Sequence, residues 1–232
     1  MIQNSSIVII LVGITIISLM IYLTLQQNEN FSPLDSQLDN TDIFVVCKNC
    51  DDQYNASQIA KKFDILNINY RIYKQINGDI VDMKKLVFQG ALKIRDQKIT
   101  NDDYACFASN VNIWQIFLQS NRTYCVVLND KLNIPSDFKN KLARVIDDLS
   151  LTNLDGVMLT RATSPDAIIT KNIVIENNLG NWCEGYVLTK EGARKLINNT
   201  IPIVSTLGNY FNSMNSKGIV KIGKTVTSII KN

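Results

Sequence analysis

The sequence contains no histidine among its 232 residues. Histidine is the side chain that most often serves as a general base near neutral pH, and it is one of the usual zinc ligands. A proton acceptor in any active site of this chain therefore has to be a carboxylate. A zinc site at Cys47 and Cys50 is also excluded on spacing, because no second Cys-x-x-Cys pair completes the ligand set.

The chain has little excess charge, with 24 basic and 21 acidic residues and a net charge of +3. This balance gives no electrostatic reason to expect a nucleic-acid partner. The Cys47-x-x-Cys50 pair is a spacing found in redox motifs, but Asp51 and Asp52 follow it directly and disfavour a thiolate. A redox role is therefore open but not favoured.

Residues 7–25 carry no charge. About 20 consecutive apolar residues are enough to span a bilayer as a helix. The residues that follow lack the small-residue cleavage site of a signal peptide, so we predict an uncleaved transmembrane signal-anchor over residues 1–26 and a single-pass membrane protein. A cleaved signal peptide is the alternative. Lys48 is the first basic residue, so the positive-inside rule leaves the membrane orientation open.

Residues 27–41 are polar and lack apolar periodicity, which indicates a stalk. Residues 42–232 are long enough for one sizeable domain with a hydrophobic core. Within this domain, short apolar runs such as residues 43–47 alternate with segments whose apolar residues recur at helical spacing. This order predicts an α/β fold, with a mostly parallel sheet and helices on both faces.

One predicted strand, residues 124–128, runs directly into the polar triplet Asn129, Asp130 and Lys131. Open α/β sheets bind their ligands at the carboxyl ends of their strands. A divalent metal needs two or three oxygen ligands, preferably anionic, whereas this triplet supplies one carboxylate beside an ammonium. The sequence therefore predicts a ligand-binding edge at the triplet with no metal bound there.

Polar residues at the starts of apolar-periodic segments predict where helices begin. The predicted caps are Thr100 or Asn101, Ser136 and Thr189. Two last apolar runs, residues 219–222 and 226–230, are predicted to close the domain.

Three segments carry a family resemblance. Residues 99–110 read Ile-Thr-Asn-Asp-Asp-Tyr-Ala-Cys-Phe-Ala-Ser-Asn and are followed by Trp114; residues 128–131 read Leu-Asn-Asp-Lys. Residues 185–196 read Gly-Tyr-Val-Leu-Thr-Lys-Glu-Gly-Ala-Arg-Lys-Leu. In this order they resemble glycosyltransferase family 25, whose motifs read Leu-Thr-x-Gly-Glu-Ile-Gly-Cys-x-x-Ser-His-x-x-x-Trp, Leu-Glu-Asp-Asp and Ala-Tyr-x-x-Ser-x-x-Gly-Ala-x-x-Leu. The resemblance covers about residues 42 to 230 and implies a GT-A-like, Rossmann-like fold.

The resemblance also implies where a nucleotide-sugar would lie. In the family the acidic triplet holds a metal that bridges the nucleotide diphosphate, which places the triplet Asn129, Asp130 and Lys131 at the cofactor-binding position. Asn110 stands where the first motif has histidine, and Tyr186 matches the tyrosine of the last motif, so both are expected at the same site.

The departures from the motifs fall at polar positions, while the packing positions are kept. Besides the triplet and Asn110, Val204 stands where the family tends to have the acid of a Pro-x-Asp segment. This pattern predicts a degenerate member of the family that keeps the scaffold and has lost the catalytic site.

We therefore predict a membrane-anchored glycosyltransferase-like domain that acts as a structural or binding module, without a cofactor. Its Asn, Ile and Lys usage indicates an AT-rich gene, and the family occurs in large DNA viruses as well as bacteria. A virion membrane, a capsid-associated position or a host endomembrane is the expected location, with other structural proteins of an assembly as partners and no nucleic acid.

The alternative is an active transferase that moves a hexose from a UDP-sugar, with Lys131 replacing the metal as a fixed cation. Only under this alternative are UDP-sugar and manganese to be considered as cofactors. Because histidine is absent, the candidate bases are Glu184 and Asp155.

Overall fold

The computed structural model describes residues 37–48, 50, 53–93, 99–180 and 184–230. The predicted signal-anchor, residues 1–26, and residues 27–36 of the predicted stalk lie outside the described residues. Within the described part of the chain, no helix combines the length and apolar character needed to cross a bilayer.

The described residues form strands and helices, and several strands follow one another without a helix between them. The strands are β1 (Thr41–Cys47), β2 (Arg71–Lys74), β3 (Tyr124–Asn129), β4 (Gly156–Arg161), β5 (Ala167–Ile168), β6 (Ile173–Ile175), β7 (Gly185–Thr189) and β8 (Ile222–Thr225). The helices are α1 (Gln53–Ile65), α2 (Met83–Phe88), α3 (Asn101–Gln119), α4 (Phe138–Ser150), α5 (Lys190–Asn198) and α6 (Leu207–Ser216), and a short 3-10 helix covers Gly78–Ile80.

All eight described strands belong to one sheet, in the order β2-β1-β3-β7-β4-β8-β6-β5. β1 pairs in parallel with β2 and β3, and β4 pairs in parallel with β8. β7 runs antiparallel between β3 and β4, and β6 runs antiparallel to β8 and β5. The predicted α/β class is confirmed, but by its pairings the sheet is mixed rather than mostly parallel. Apolar periodicity identifies a strand without giving its direction, which is why β6 and β7 were not foreseen as reversed.

Successive side chains of a strand point to opposite faces of the sheet, so the hydrophobic core forms one cluster on each face. In β3, Tyr124, Val126 and Leu128 pack in the cluster that includes α1 and α4. Cys125 and Val127 point to the other face and pack with α3, α5 and α6. The prediction of helices on both faces is therefore confirmed. Each fully buried large apolar side chain contributes about 1.5–3 kcal/mol, so the two clusters hold the sheet rigidly between the helices.

Local capping chemistry sets the helix starts. The Thr100 hydroxyl accepts a hydrogen bond from the Asp103 amide at 3.1 Å, and the Asp103 carboxylate accepts one from the Thr100 amide at 2.9 Å. This reciprocal capping box begins α3, and Thr189 caps α5 through its hydroxyl, so both predicted caps are confirmed. The Ser136 prediction is wrong by one residue, because the N-cap of α4 is Asp137, which makes no side-chain capping bond.

The last two apolar runs are not themselves strands: β8 (Ile222–Thr225) begins at the last residue of the first run and ends before the second. The segment that follows β8 runs from the residue before β6 to β4. Its Val226 amide donates to the Asn172 carbonyl at 2.9 Å, and its Ile229 amide donates to the Leu159 carbonyl at 3.2 Å. These bonds bring the end of the described chain back over β4.

A buried ion pair ties β6 to β8. The Lys224 ammonium lies 2.9 Å from the Glu176 carboxylate, and both side chains are at most 6% exposed. Glu176 also accepts hydrogen bonds from the Thr163 hydroxyl at 2.6 Å and the Ser164 amide at 3.0 Å. Burial alone would raise the pKa of Glu176, but these bonds and the one from Lys224 outweigh it and lower the pKa to about 2.

Candidate functional site

The polar triplet lies at the carboxyl end of β3, as predicted. The Asn129 amide donates to the Glu184 carbonyl at 2.9 Å, and the Asp130 amide donates to the Val46 carbonyl at 3.0 Å. The Asn129 side-chain oxygen accepts a hydrogen bond from the Lys131 amide at 2.9 Å, which closes a tight polar turn. Asp130 is partly buried and Lys131 is exposed. The triplet is thus fixed by its backbone, while the Lys131 side chain faces solvent.

Glu184 belongs to the same edge. It directly precedes β7, and because β7 runs antiparallel to β3, the start of β7 meets the end of β3. The bond between the Glu184 carbonyl and the Asn129 amide shows that the two positions are neighbours. Of the two candidate bases, this is the one that the structure brings to the triplet.

Asp155 lies at the opposite edge of the sheet. It directly precedes β4, and β4 points in the same direction as β3 because both are antiparallel to β7. Its buried carboxylate accepts hydrogen bonds from the Lys195 ammonium at 2.8 and 2.9 Å and from the Lys221 amide at 2.8 Å. The structure therefore does not bring Asp155 together with the triplet, and gives it a stabilising role instead.

Lys48 lies at the triplet edge and was not singled out from the sequence. It follows β1, the parallel neighbour of β3, and its ammonium is 2.7 Å from the Asp102 carboxylate in the first turn of α3. The hydrogen bond that the Lys48 ammonium donates to Asp102 raises the pKa of Lys48, so the ammonium stays charged. The signal that could have found Lys48 is its position, because it follows its strand as the triplet follows β3.

Asn110 and Tyr186 lie inside the protein, between α3 and β7. The Tyr186 hydroxyl donates to the Asn110 side-chain oxygen at 2.5 Å and accepts from the Trp114 indole N–H at 2.9 Å. The Asn110 amide group in turn donates to the Cys106 carbonyl at 2.9 Å. Both residues are at most 4% exposed. Their contact with a ligand stays a prediction, and the structure shows that each already has partners within the fold.

A disulfide joins Cys47, the last residue of β1, to Cys50, with their Cα atoms 5.6 Å apart. The Cys47 carbonyl also accepts a hydrogen bond from the Gln75 amide at 2.9 Å, which links the ends of β1 and β2. The sequence left the state of this pair open. The disulfide gives the pair a structural part in shaping the loop beside Lys48.

The triplet does not fit a divalent metal. Asp130 is its single carboxylate, the Asn129 side-chain oxygen already accepts a backbone hydrogen bond, and Lys131 places a cation where a ligand would be needed. In the described ranges, no group of three or more His, Cys, Asp or Glu side chains is arranged to hold a metal ion.

A family model described as glycosyltransferase family 25 (LPS biosynthesis protein) matches residues 54–210, more than half of the chain. The chain belongs to glycosyltransferase family 25.

Curated relatives agree with this family membership. Procollagen galactosyltransferase 1-A of Xenopus laevis is 26% identical over 157 residues, which are 61% of this chain and 25% of the relative. Procollagen galactosyltransferase 1-B of the same species is 25% identical over 148 residues, 57% of this chain and 24% of the relative. A glycosyltransferase 25 family member of Anopheles gambiae is 24% identical over 153 residues, 61% of this chain and 26% of the relative. The chain thus spans about a quarter of the length of these relatives.

The structure shows how this family 25 chain accommodates its departures from the motifs. Asn110, at the histidine position, is absorbed into a buried hydrogen-bond network. Asn129 uses its side chain to close the turn after β3. Lys131 has no such internal use, since its ammonium makes no hydrogen bond or ion pair within the described residues. Of these three departures, two therefore serve the fold, and Lys131 leaves an exposed ammonium at the carboxyl end of β3.

Proposed function

We propose that this chain is a membrane-anchored family 25 domain that has lost metal-dependent sugar transfer and serves as a binding or structural module. The observation that carries the proposal is the chemistry of the triplet. One carboxylate, an amide oxygen already in use and an exposed ammonium replace the acidic set that would hold a metal against a diphosphate.

The intact scaffold supports a retained role for the domain. The two core clusters and the capping box of α3 are complete, and the Asn110 network leaves the polar groups beneath the edge hydrogen-bonded. A fold can be kept after catalytic activity is lost, because activity depends on the residues of the site rather than on the fold. A rigid domain with an open, charged edge remains suited to binding.

The membrane location rests on the sequence. The uncharged residues 7–25 are the proposed anchor. We place the domain at a virion membrane or a host endomembrane, with other structural proteins of an assembly as its partners.

The second candidate is a metal-free hexose transferase that uses a UDP-sugar. It is favoured by the free ammonium of Lys131 and by Glu184 at the same edge. In this reaction the acceptor hydroxyl attacks the sugar carbon, the bond from that carbon to the diphosphate breaks, and UDP leaves with the bond electrons. Lys131 would neutralise the departing diphosphate, and the Glu184 carboxylate would take the hydroxyl proton.

Titration calorimetry and a UDP-release assay on the full chain in detergent micelles separate the two candidates. The ligands are UDP, UDP-glucose and UDP-galactose, each with and without manganese; the names of the frog relatives make UDP-galactose the first donor to try. The module proposal expects no sugar turnover and no gain in nucleotide affinity from manganese. Manganese-dependent release of UDP would overturn it.

The variant Lys131→Ala sharpens the result. Micromolar nucleotide binding without metal that falls by about tenfold in this variant would favour the metal-free transferase. Lys217→Ala removes another exposed lysine, at the end of α6, and serves as the matched control.

A further inference from the structure

A separate basic cavity lies on the face of the sheet that α4 covers. Its volume is about 140 Å³, it is partly open to solvent, and it is lined by α4, the turn before β6 and the segment that follows β8. The buried side chains of Val145 and Ile229 form its apolar wall. Its polar lining consists of Lys141, Arg144, Asn172, Thr225 and Thr227. No residue of the triplet lines it.

The lining carries two cations and no carboxylate. Lys141 and Arg144 are three residues apart on α4, so their side chains lie on the same side of the helix. Two like charges in this arrangement repel each other. An anion between them would turn that repulsion into two attractive contacts.

Arg144 is the less satisfied of the two cations. The Lys141 ammonium lies 2.8 Å from the Asp137 carboxylate, which occupies one of its three donors. Across the described part of the chain, the Arg144 guanidinium makes no hydrogen bond and no ion pair. Its five N–H donors are therefore open to a ligand or to water.

The wall opposite α4 is held in place by hydrogen bonds. One oxygen of Asp148 accepts from the Thr170 hydroxyl at 2.6 Å, the Asn172 amide at 3.1 Å and the Asn172 side chain at 2.9 Å. The Thr225 hydroxyl donates to the Thr160 carbonyl at 3.1 Å. Because these groups are fixed by the fold, the cavity is a formed feature of the domain.

Thr227 adds a neutral donor. Its side chain is exposed, and no hydrogen bond involves its hydroxyl within the ranges that the structure describes. The cavity therefore combines a guanidinium, an ammonium with spare donors and a free hydroxyl.

We propose that this cavity binds a tetrahedral oxyanion of the phosphate type, either inorganic phosphate or the phosphoryl group of a monoester. The planar guanidinium of Arg144 binds two oxygens at once, and Lys141 adds a point charge. The cavity is close in size to an engineered cavity of about 150 Å³ that holds benzene. It has room for a phosphoryl group.

Titration calorimetry of the full chain in detergent micelles tests the proposal. The probes are inorganic phosphate and glycerol 3-phosphate at low ionic strength, with chloride of equal ionic strength in the reference buffer. Heat from both probes is expected, and it identifies the phosphoryl group as the recognised unit. Heat from inorganic phosphate alone identifies the free ion as the ligand. Heat from neither probe overturns the proposal.

Three variants locate the binding. Arg144→Gln is expected to weaken phosphate binding by about tenfold or more, and Thr227→Val by about threefold. Arg194→Gln makes the same change at an exposed arginine of α5, on the other face of the sheet, and is expected to leave the affinity unchanged. All three side chains are exposed, so circular dichroism is expected to show unchanged folding.

Lys131→Ala distinguishes this cavity from the triplet edge. Phosphate affinity is expected to be unchanged in that variant. Loss of binding in Lys131→Ala with normal binding in Arg144→Gln would place the anion at the triplet, and equal weakening by Arg144→Gln and Arg194→Gln would show a non-specific charge effect. Either result overturns the proposal.

Discussion

The two edges of the sheet use their charged residues in opposite ways. At the amino end of β4, the Asp155 carboxylate is buried and accepts hydrogen bonds from Lys195 and from the Lys221 amide. At the carboxyl end of β3, Lys131 is exposed and its ammonium has no partner among the described residues. The first edge uses these charges to hold the fold together, whereas the second pairs Lys48 with Asp102 and leaves the Lys131 ammonium without a partner among the described residues. Acids that look equivalent in the sequence therefore differ in what their removal should do.

Glu176 is a buried acid that directly follows β6 and pairs with the buried Lys224. Replacing it by Gln leaves the Lys224 ammonium buried without a counter-charge. We expect Glu176→Gln to lower the free energy of unfolding by about 3–5 kcal/mol. Urea denaturation followed by tryptophan fluorescence measures the change. A loss below about 1 kcal/mol would mean that the pair is not needed for stability.

Lowering the pH is expected to reduce the free energy of unfolding through Glu176. The pKa of Glu176 is lowered to about 2 in the folded state, so the unfolded chain takes up its proton first as the pH falls. The stability contributed by Glu176 is complete above the usual carboxyl pKa and is lost as the pH falls toward 2. The loss is expected to be on the order of 3 kcal/mol. Denaturation curves across this pH range measure it, and Glu176→Gln should show a shallower dependence.

Asp155→Asn tests the edge at the amino end of β4 directly. The change removes the charge opposite Lys195 but keeps an oxygen for the Lys221 amide. Because the Lys195 side chain is 35% exposed, water can replace part of the lost interaction. We expect a destabilisation of about 2 kcal/mol in the free energy of unfolding, again from urea denaturation. An unchanged free energy of unfolding would mean that the Asp155 contacts do not stabilise the fold, and the two edges would then not differ in this respect.

Tyr186→Phe probes the network beneath the triplet. It removes the hydroxyl that joins the Trp114 indole to the Asn110 side chain, and both partners are buried. Leaving these groups without a hydrogen bond is expected to destabilise the fold by about 1–2 kcal/mol. Thermal denaturation measures it, and an unchanged midpoint would show that other groups can replace the hydroxyl.

Asp130→Asn is the matched change at the carboxyl end of β3 and is expected to have the smallest effect on stability. Asp130 is partly buried, and its backbone amide, rather than its side chain, ties it to β1. We expect the free energy of unfolding to change by less than about 0.5 kcal/mol. A loss as large as that in Asp155→Asn would contradict the distinction between the two edges.

Local signals in the sequence predicted the parts of the fold that depend on near neighbours. The strand before the triplet and the helix starts at Thr100 and Thr189 follow from apolar spacing and capping chemistry, and the structure has them there. The cap of α4 was misplaced, because Ser136 and Asp137 are adjacent and both are good caps.

The features that were not predicted depend on contacts between distant parts of the chain. Asp155 and Glu184 both precede strands, and only the opposite directions of β4 and β7 send them to different edges. The burial of Asn110 likewise depends on Tyr186, which is 76 residues away in the sequence. Spacing in a single sequence carries no information on such pairings.

The reversed direction of β7 has a consequence for the edge at the carboxyl end of β3. Because β7 is antiparallel to β3, the residue before β7 lies at the carboxyl end of β3. Glu184 is therefore a neighbour of the triplet that contains Asp130. One substitution to an acid, at position 129 or 131, would give the edge three carboxylates. One substitution therefore separates this edge from the set of anionic oxygen ligands that a divalent cation prefers.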